Sequence, residues 1–321
     1  MMDTKGKPEY DNLYMPKKKP TKKEFRLKDA MLKKAEVLAE ALPFMKQFAG
    51  ETFVIKYGGS TMGDKSLARK FAADVVMLKQ IGINPVVVHG GGPQIGKMLD
   101  RLKIKSSFIS GLRVTDHEAV EIVEMVLSGT INKQLVSEIN AAGGTAVGLS
   151  GKDGNLIEAR KLRRTQRDPD SNIEKILDLG FVGEPTIINP DILVVFEESN
   201  IIPVIAPIGI GESGQTYNIN ADTAAGAIAS ALAARKLIML TDVSGVLNKD
   251  GEIIGSLTVT AAQKLIKNGT VSGGMIPKIE TCIDAVKRNT EAAHILDGRI
   301  PHVMLLEIFT EHGTGTMIVH G

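Results

Sequence analysis

The chain has little of what marks a metal, membrane or nucleic-acid protein. Its single cysteine, Cys282, excludes an internal disulfide and a multi-cysteine zinc site, and suits a reducing, cytoplasmic setting. Six histidines are scattered without H-x-x-x-H or Cys–His spacing, so no metal ligands are assigned. Tryptophan is absent and aromatics make up only 4%, poor material for stacking bases. A net charge of +2 offers no strong field for nucleic acid or an anionic membrane. No apolar run approaches the roughly 18 residues needed to span a bilayer; the nearest, 224–234, is short and rich in small residues. The opening "MMDTKGKPEYDNLY" lacks an apolar stretch and includes acids, unlike a signal or transit peptide. No G-x-S-x-G occurs. What remains is a soluble protein of enzyme size, with 43% hydrophobic residues.

Alternation of strands and helices dominates the text. Residues 1–20 are polar and lysine-rich and read as a mobile tail. "TKKE" from Thr21 is a capping box, and Met31, Ala35, Leu38, Leu42 and Met45 recur at helical spacing, so 21–48 reads as an amphipathic helix. Its apolar stripe suits its own subunit or a neighbour. From "TFVIKYGG" onward, apolar runs bounded by glycine and proline alternate with helical segments, and one long helix spans about 116–142. This pattern predicts an α/β fold: an open, mainly parallel central sheet flanked by helices, with an N-terminal extension helix. Charged β-like pieces over 156–188 suggest a hairpin edging a cleft, and the sheet is expected to run through two lobes, 49–195 and 196–321.

Several short stretches carry chemistry. "FVIKYGG" (53–59) interrupts an apolar strand with Lys56, just before Gly58 and Gly59. A strand-end lysine ordinarily snorkels to solvent. Here it precedes a glycine turn, and "VVVHGGGPQIGKM" (86–98) supplies a second one. That stretch fails as a P-loop because Met98 stands where Ser or Thr should be, and as a dinucleotide fingerprint because of Ile95. Three glycines at a strand–helix junction still leave backbone N–H groups free to approach an anion, whereas a plain tight turn needs one. If the two strands are parallel neighbours, both turns share the carboxyl edge where such sheets bind ligands.

Arg113, in "SGLRVTD", is a fork-shaped donor for a carboxylate or phosphate, or equally a salt-bridge partner for an acid. Asn218, Asn220 and Asp222 alternate ahead of an alanine-rich helix; a simple N-cap needs only one of them. Lys278 lies in the first turn of a helix after Gly273 and Gly274, where the macrodipole disfavours a cation. A surface position would explain it, and so would an anionic ligand, with Asp222 as its partner. Two lysines, two glycine turns and an aspartate match the needs of phosphoryl transfer, which rests on positioning and cationic stabilisation. A carboxylate acceptor is already ionised at neutral pH and needs no general base.

The motifs "IKYGGSTMGD", "VVVHGGGPQIGKML", "GLRVTD", "NINADTAA", "LTDVSGVL" and "GGMIPKIETC", in this order and spacing, resemble the amino-acid kinase family, and within it the kinases of N-acetylglutamate. The resemblance runs from about residue 25 to the C-terminus, and "GLRVTD" and "NINAD" set it apart from the aspartate, carbamate and nucleotide kinases. It implies transfer of phosphate from ATP, accompanied by Mg²⁺, to the γ-carboxylate of N-acetyl-L-glutamate, the second step of arginine synthesis by the acetylated route. By motif, Lys56 and Lys278 stabilise the transition state, Asp222 organises them and Gly59 N–H helps the phosphate. Gly91, Gly92, Arg113 and Asn218 hold acetylglutamate. Thr241, Asp242, Val243, Gly245, Val246, Gly274 and Met275 border the nucleotide.

Two further features resemble the arginine-inhibited branch: the helix at 21–48, which there interlaces dimers into a hexamer, and His294, Glu307 and Gly313 at positions of the feedback site for L-arginine. Phe44 stands where many relatives have tyrosine. Alternatives are a related kinase of aspartate or glutamate, against which "GLRVTD" speaks, and an arginine-sensing assembly protein, against which the intact pair Lys56 and Lys278 speaks.

Overall fold

The computed structural model describes residues 22–59, 61–109, 111–167, 174–310 and 313–321. The tail expected over 1–20 and the cap expected at Thr21 lie outside them. The chain divides after Pro43. On the N-terminal side lies most of the helix Lys22–Phe48, where Met31, Leu38 and Leu42 are exposed. Everything from Phe44 onward forms the second unit, and the end of the helix belongs to it: Phe48 is buried, its ring 5.3 Å from that of Phe53.

Among the described residues an eight-stranded sheet forms the middle of this unit, in the order Ser256–Thr258, Thr316–Val319, Ala292–Asp297, Lys236–Thr241, Thr52–Tyr57, Asn84–His89, Ile202–Ala206, Ala146–Ser150. The pairs are parallel save that between Ala292–Asp297 and Thr316–Val319. This is the open, mainly parallel sheet read from the sequence. The strands are nearly continuous apolar runs because helices cover both faces. Thr52–Tyr57 sits between the strand that follows it and one from far down the chain, so the direction of winding changes at its carboxyl end. Open α/β sheets form their binding crevice at such a point.

Side chains alternate across each strand, and the alternation decides which layer each residue joins. Phe53, Ile55, Tyr57 and Val87 enter one apolar layer with Val75, Leu78, Leu99, Val123 and Ile139. Val54, Val86 and Val88 enter the other, with Ala224, Ala225, Ile228, Ile279 and Cys282. Lys56 shares its parity with Val54, so it points toward the layer of the helices Ala221–Ala231 and Met275–Arg288. The lysine that breaks the apolar run lies at the carboxyl end of that layer.

The long helix expected over 116–142 runs from His117 to Ala141, with a π-helical stretch, Met125–Ile131, in its middle. Short strands Ile157–Lys161, Val182–Ile188, Ile208–Ile210 and Thr216–Ile219 pair in a ring beside the sheet. The first two are the antiparallel hairpin arms anticipated in 156–188. The edge strand Ser256–Thr258, its neighbour Thr316–Val319 and the helices Asp191–Glu197 and Val303–Phe309 were not anticipated.

One glycine seam fixes the segment carrying Arg113. Thr115 N donates to Leu179 O at 3.1 Å, and Phe181 N donates to Thr115 O at 2.6 Å, around Gly180 at φ +69°. A Cβ at position 180 would sit 2.1 Å from Thr115 O. Gly180→Ala is therefore expected to lower stability by about 1–3 kcal/mol through backbone strain alone, with a further loss as Thr115 moves. Urea unfolding of wild type and variant measures it, and an unchanged midpoint would refute the steric reading.

Candidate active site

The two glycine turns meet because their strands are parallel neighbours in register. Lys56 lies opposite Val88 and Tyr57 opposite His89, so Gly58–Gly59 and Gly90–Gly92 leave the sheet side by side. Gly90 N donates to Tyr57 O at 2.9 Å. The approach leaves no room for side chains: a Cβ on Gly59 would lie 3.1 Å from Gly91 N and 3.3 Å from Gly92 N. One on Gly91 would lie 2.4 Å from Ile131 Cδ1 and 2.6 Å from Leu127 Cδ2. Gly92 opens the helix Gly92–Leu102, whose first N–H groups have no partner within the helix.

These turns wall a cavity of about 270 Å³ that Lys56, Gly59, Gly91, Gly92, Arg113, Asn218 and Asp222 all line. A larger cavity of about 800 Å³ shares Asn220 and Asp222 with it and adds Gly274 and Lys278. Asp222 stands where the two meet. One of its oxygens is 2.9 Å from Lys56 Nζ, and Lys278 Nζ is 2.8 Å from the other. Burial alone would push the Asp222 carboxyl up, but the two ammonium groups outweigh it and hold it below the usual carboxylate range. Two cations against one anion leave one net positive charge at the cavity rim. The lysine that looked misplaced in a helix's first turn is thus held by a carboxylate, as the sequence suggested.

The spacing of the two helices matters here. Gly226 lies one turn below Asp222 and Thr281 about one turn below Lys278. A Cβ at Gly226 would come within 2.6 Å of Thr281 Cγ2. The helices touch at that level only because residue 226 has no side chain.

Arg113 is buried and has no acidic ion-pair partner among the described residues. It donates to Gly92 O at 2.9 Å and to Ser106 Oγ, and its guanidinium lies 4.6 Å from the centroid of the Phe108 ring. Burial lowers its pKa, partly opposed by Asp100. Its charge thus remains available to a ligand. Asn218 donates to Thr115 Oγ1 at 3.2 Å. Asn220, grouped with Asn218 and Asp222 in the sequence, is the helix cap: its Oδ1 accepts from Asp222 N at 2.9 Å and Thr223 N at 3.2 Å.

Thr241 ends the strand Lys236–Thr241, next to the strand bearing Lys56. Asp242 and Val243 are exposed. Val246 is buried, and its N–H donates to Thr316 Oγ1 at 2.8 Å, while a Cβ on Gly245 (φ +145°) would meet the same oxygen at 2.8 Å. Thr241, Asp242, Val243, Gly245 and Val246 line neither cavity; Gly274 lines the larger one, and Met275 packs against the apolar layer beneath it.

His294, Glu307 and Gly313 come together elsewhere. His294 Nδ1 is 2.8 Å from Glu307 Oε1, Thr314 N donates to Glu307 Oε2 at 2.6 Å, and a Cβ on Gly313 would lie 2.8 Å from Glu307 Oε2. Burial lowers the His294 pKa. Burial would raise that of Glu307, but His294 and the backbone donors hold it below the usual range. The sequence reading missed Lys236, whose Nζ is 3.0 Å from His294 Nε2. As a lysine at the start of a strand it gave no signal.

Comparison with known proteins shows the family of this chain. The model of the amino acid kinase family matches residues 51–297. The chain is similar to acetylglutamate kinase of Rhodospirillum rubrum, at 66% identity over 90% of this chain and 94% of that one. It is also similar to acetylglutamate kinase of Parvibaculum lavamentivorans, at 62% identity over 90% and 95%. Among solved structures, N-acetylglutamate synthase from Neisseria gonorrhoeae complexed with coenzyme A and N-acetyl-glutamate aligns with a TM-score of 0.77 at 25% identity, over 89% of this chain and 63% of that one. Carbamate kinase from Giardia lamblia bound to AMP-PNP shares the fold, at a TM-score of 0.59 and 18% identity, over 85% and 99%.

The depressed Asp222 pKa has a testable sign. The lysines favour the carboxylate in the folded state, so its stabilisation is complete above the ordinary carboxylate pKa of about 4 and is lost as pH falls through the lower folded value. Asp222→Asn leaves two facing cations, and a loss of about 3–5 kcal/mol is expected near neutrality. The gap to wild type should shrink only below pH about 4. Urea titrations from pH 7 downward test this; a gap that does not depend on pH would refute it.

Proposed function

Since this chain belongs to the amino acid kinase family, among its acetylglutamate kinases, we propose a division of labour in the site for the reaction it performs. That reaction is the ATP-dependent phosphorylation of the γ-carboxylate of N-acetyl-L-glutamate, giving N-acetyl-L-glutamyl 5-phosphate in arginine biosynthesis. The observation that carries the assignment is the bridging of Lys56 and Lys278 by Asp222 at the junction of two cavities.

Acetylglutamate occupies the smaller cavity. Gly91 and Gly92 offer N–H groups to it, Arg113 pairs with a carboxylate, and Asn218 supplies an amide. The nucleotide approaches from the side of Gly274, Met275 and Lys278, with the loop from Thr241 to Val246 along the same sheet edge. In this reading the 49–195 lobe serves mainly the acceptor and the 196–321 lobe mainly ATP, although Asn218 comes from the latter.

In the chemical step a γ-carboxylate oxygen bonds to the terminal phosphorus of ATP as the bond from that phosphorus to the β,γ-bridging oxygen breaks, and ADP leaves with the electron pair. The acceptor carboxylate is already ionised, so no proton moves. Lys56, Lys278 and Gly59 N–H stabilise charge on the transferring group and the leaving oxygen, and Asp222 keeps both ammonium groups in place. Mg²⁺ arrives on the ATP phosphates. The donor set does not suit a resident ion: among the described residues no three His, Cys, Asp or Glu cluster, and both oxygens of Asp222 face lysines.

The cluster of His294, Glu307 and Gly313, with Lys236, is proposed to take L-arginine as a feedback inhibitor; the low Glu307 pKa keeps an anion there for a guanidinium. The exposed Met31, Leu38 and Leu42 support assembly through the N-terminal helix into a hexamer of three dimers. A cytoplasmic site fits a chain in which, among the described residues, no helix is long and apolar enough to cross a membrane, and whose one cysteine is buried.

Trapping the acyl phosphate with hydroxylamine tests these roles. Hydroxamate should form from N-acetylglutamate, not from glutamate or aspartate, and L-arginine should suppress it in wild type but not in Glu307→Gln. Lys56→Ala and Lys278→Ala should each lower kcat about 10²–10³-fold. Folded lysine variants that keep wild-type turnover would overturn the assignment.

A further inference from the structure

His89 ends the Asn84–His89 strand with its ring wholly buried, on the face opposite to Lys56. It touches neither cavity. Its Nδ1 lies 3.0 Å from Gly90 O, and a carbonyl can only accept, so Nδ1 carries the hydrogen. Nε2 is then a bare lone pair, and Asn132 Nδ2 faces it at 3.3 Å. The Asn132 amide cannot be turned round: the same nitrogen lies 2.8 Å from Val204 O and 3.2 Å from Leu149 O, so its two N–H groups are shared among these carbonyls and Nε2, while its oxygen accepts from Lys133 Nζ at 3.1 Å. Burial pushes the His89 pKa down to about 4, which keeps the ring neutral at neutral pH, and the Gly90 carbonyl fixes its tautomer.

The consequence runs through one peptide plane. In a trans peptide the C=O and the following N–H point in opposite directions. Holding Gly90 O against the His89 ring therefore turns Gly91 N–H the other way. Gly91 N is indeed the atom nearest to the space beside Gly59, 3.1 Å from where a Cβ there would be. Asn132 directly follows the π-helical stretch whose Leu127 and Ile131 close on Gly91 from the other side. One helix thus braces the ring that sets the peptide and fills the space beneath it.

We infer that His89 and Asn132 are positioning residues for the phosphoryl transfer, aiming Gly91 N–H at the acceptor through the carbonyl of Gly90. The inference rests on the reading above in which Gly91 and Gly92 hold acetylglutamate. Asparagine can place its amide N–H where His89 has Nδ1, whereas glutamine reaches only the Nε2 end. His89→Asn should therefore stay within about threefold of wild type in kcat/KM for acetylglutamate, and His89→Gln should lose about 10–100-fold. The loss should lie in KM for acetylglutamate and in kcat, with KM for ATP unmoved. A merely structural histidine would affect both substrates alike and follow the melting temperature.

Steady-state kinetics with each substrate varied, and thermal melts of the same proteins, decide it. A His89→Asn protein that does not fold, or that is no better than His89→Gln, overturns the inference, as does an equal rise in both KM values. Arg113→Lys separates this from failure of the underlying reading. If that variant leaves KM for acetylglutamate unchanged, the acceptor is not where these residues place it. If it raises KM while His89→Gln does not, the site stands and the positioning role falls.

Discussion

Two lysine ammonium groups facing the junction of two cavities repel each other, and Asp222 is what lets them stand there. Its carboxylate lies within 2.9 Å of both, and because it is buried their attraction is little screened by solvent. The fold has to bring three chain segments to one point: a strand from near the start of the sheet, the first turn of Ala221–Ala231, and the first turn of Met275–Arg288. The sheet supplies the first of these, the ring strand Thr216–Ile219 leads directly into the second, and the third follows the helix Val259–Lys267.

The same edge sorts cations from N–H donors by strand parity. On the Thr52–Tyr57 strand, Lys56 turns toward the helices that carry Asp222 and Lys278. On its neighbour, His89 turns toward the opposite layer and works on the backbone instead. Lys56 and His89 thus act from different faces of the sheet. The ring of short strands and the Gly180 seam complete the wall by fixing where Arg113 and Asn218 lie.

Much of this was legible in the sequence, for a physical reason in each case. The parallel strands showed as apolar runs ending in glycine because they are buried on both faces. Lys56 and Lys278 showed because a charge in a buried strand or at a helix N-terminus is costly and calls for a partner, and Asp222 was the partner named. Other features were silent. Lys236 begins a strand, where lysine is ordinary, and only the pairing of Lys236 with Ala292 and of Ile238 with His294 brings it near His294. Asn220 read as one of three similar polar residues, although a single cap was enough to explain it. The edge strand Ser256–Thr258 and its neighbour Thr316–Val319 have only three and four residues, too few to display a period, and their partners are distant in sequence. The π-helical stretch has no period of its own that so short a run could display, and its Leu127 and Ile131 close on the glycine turn.

The contact of Gly226 with Thr281 makes residue 226 a gauge block for the charges above it. The reach from Asp222 to Lys278 is machined by a hydrogen atom where other residues carry carbon, one helical turn from the ion pair. The spacing of the two charges is therefore written partly in a residue that has no functional group, and a survey of polar side chains alone would pass it over.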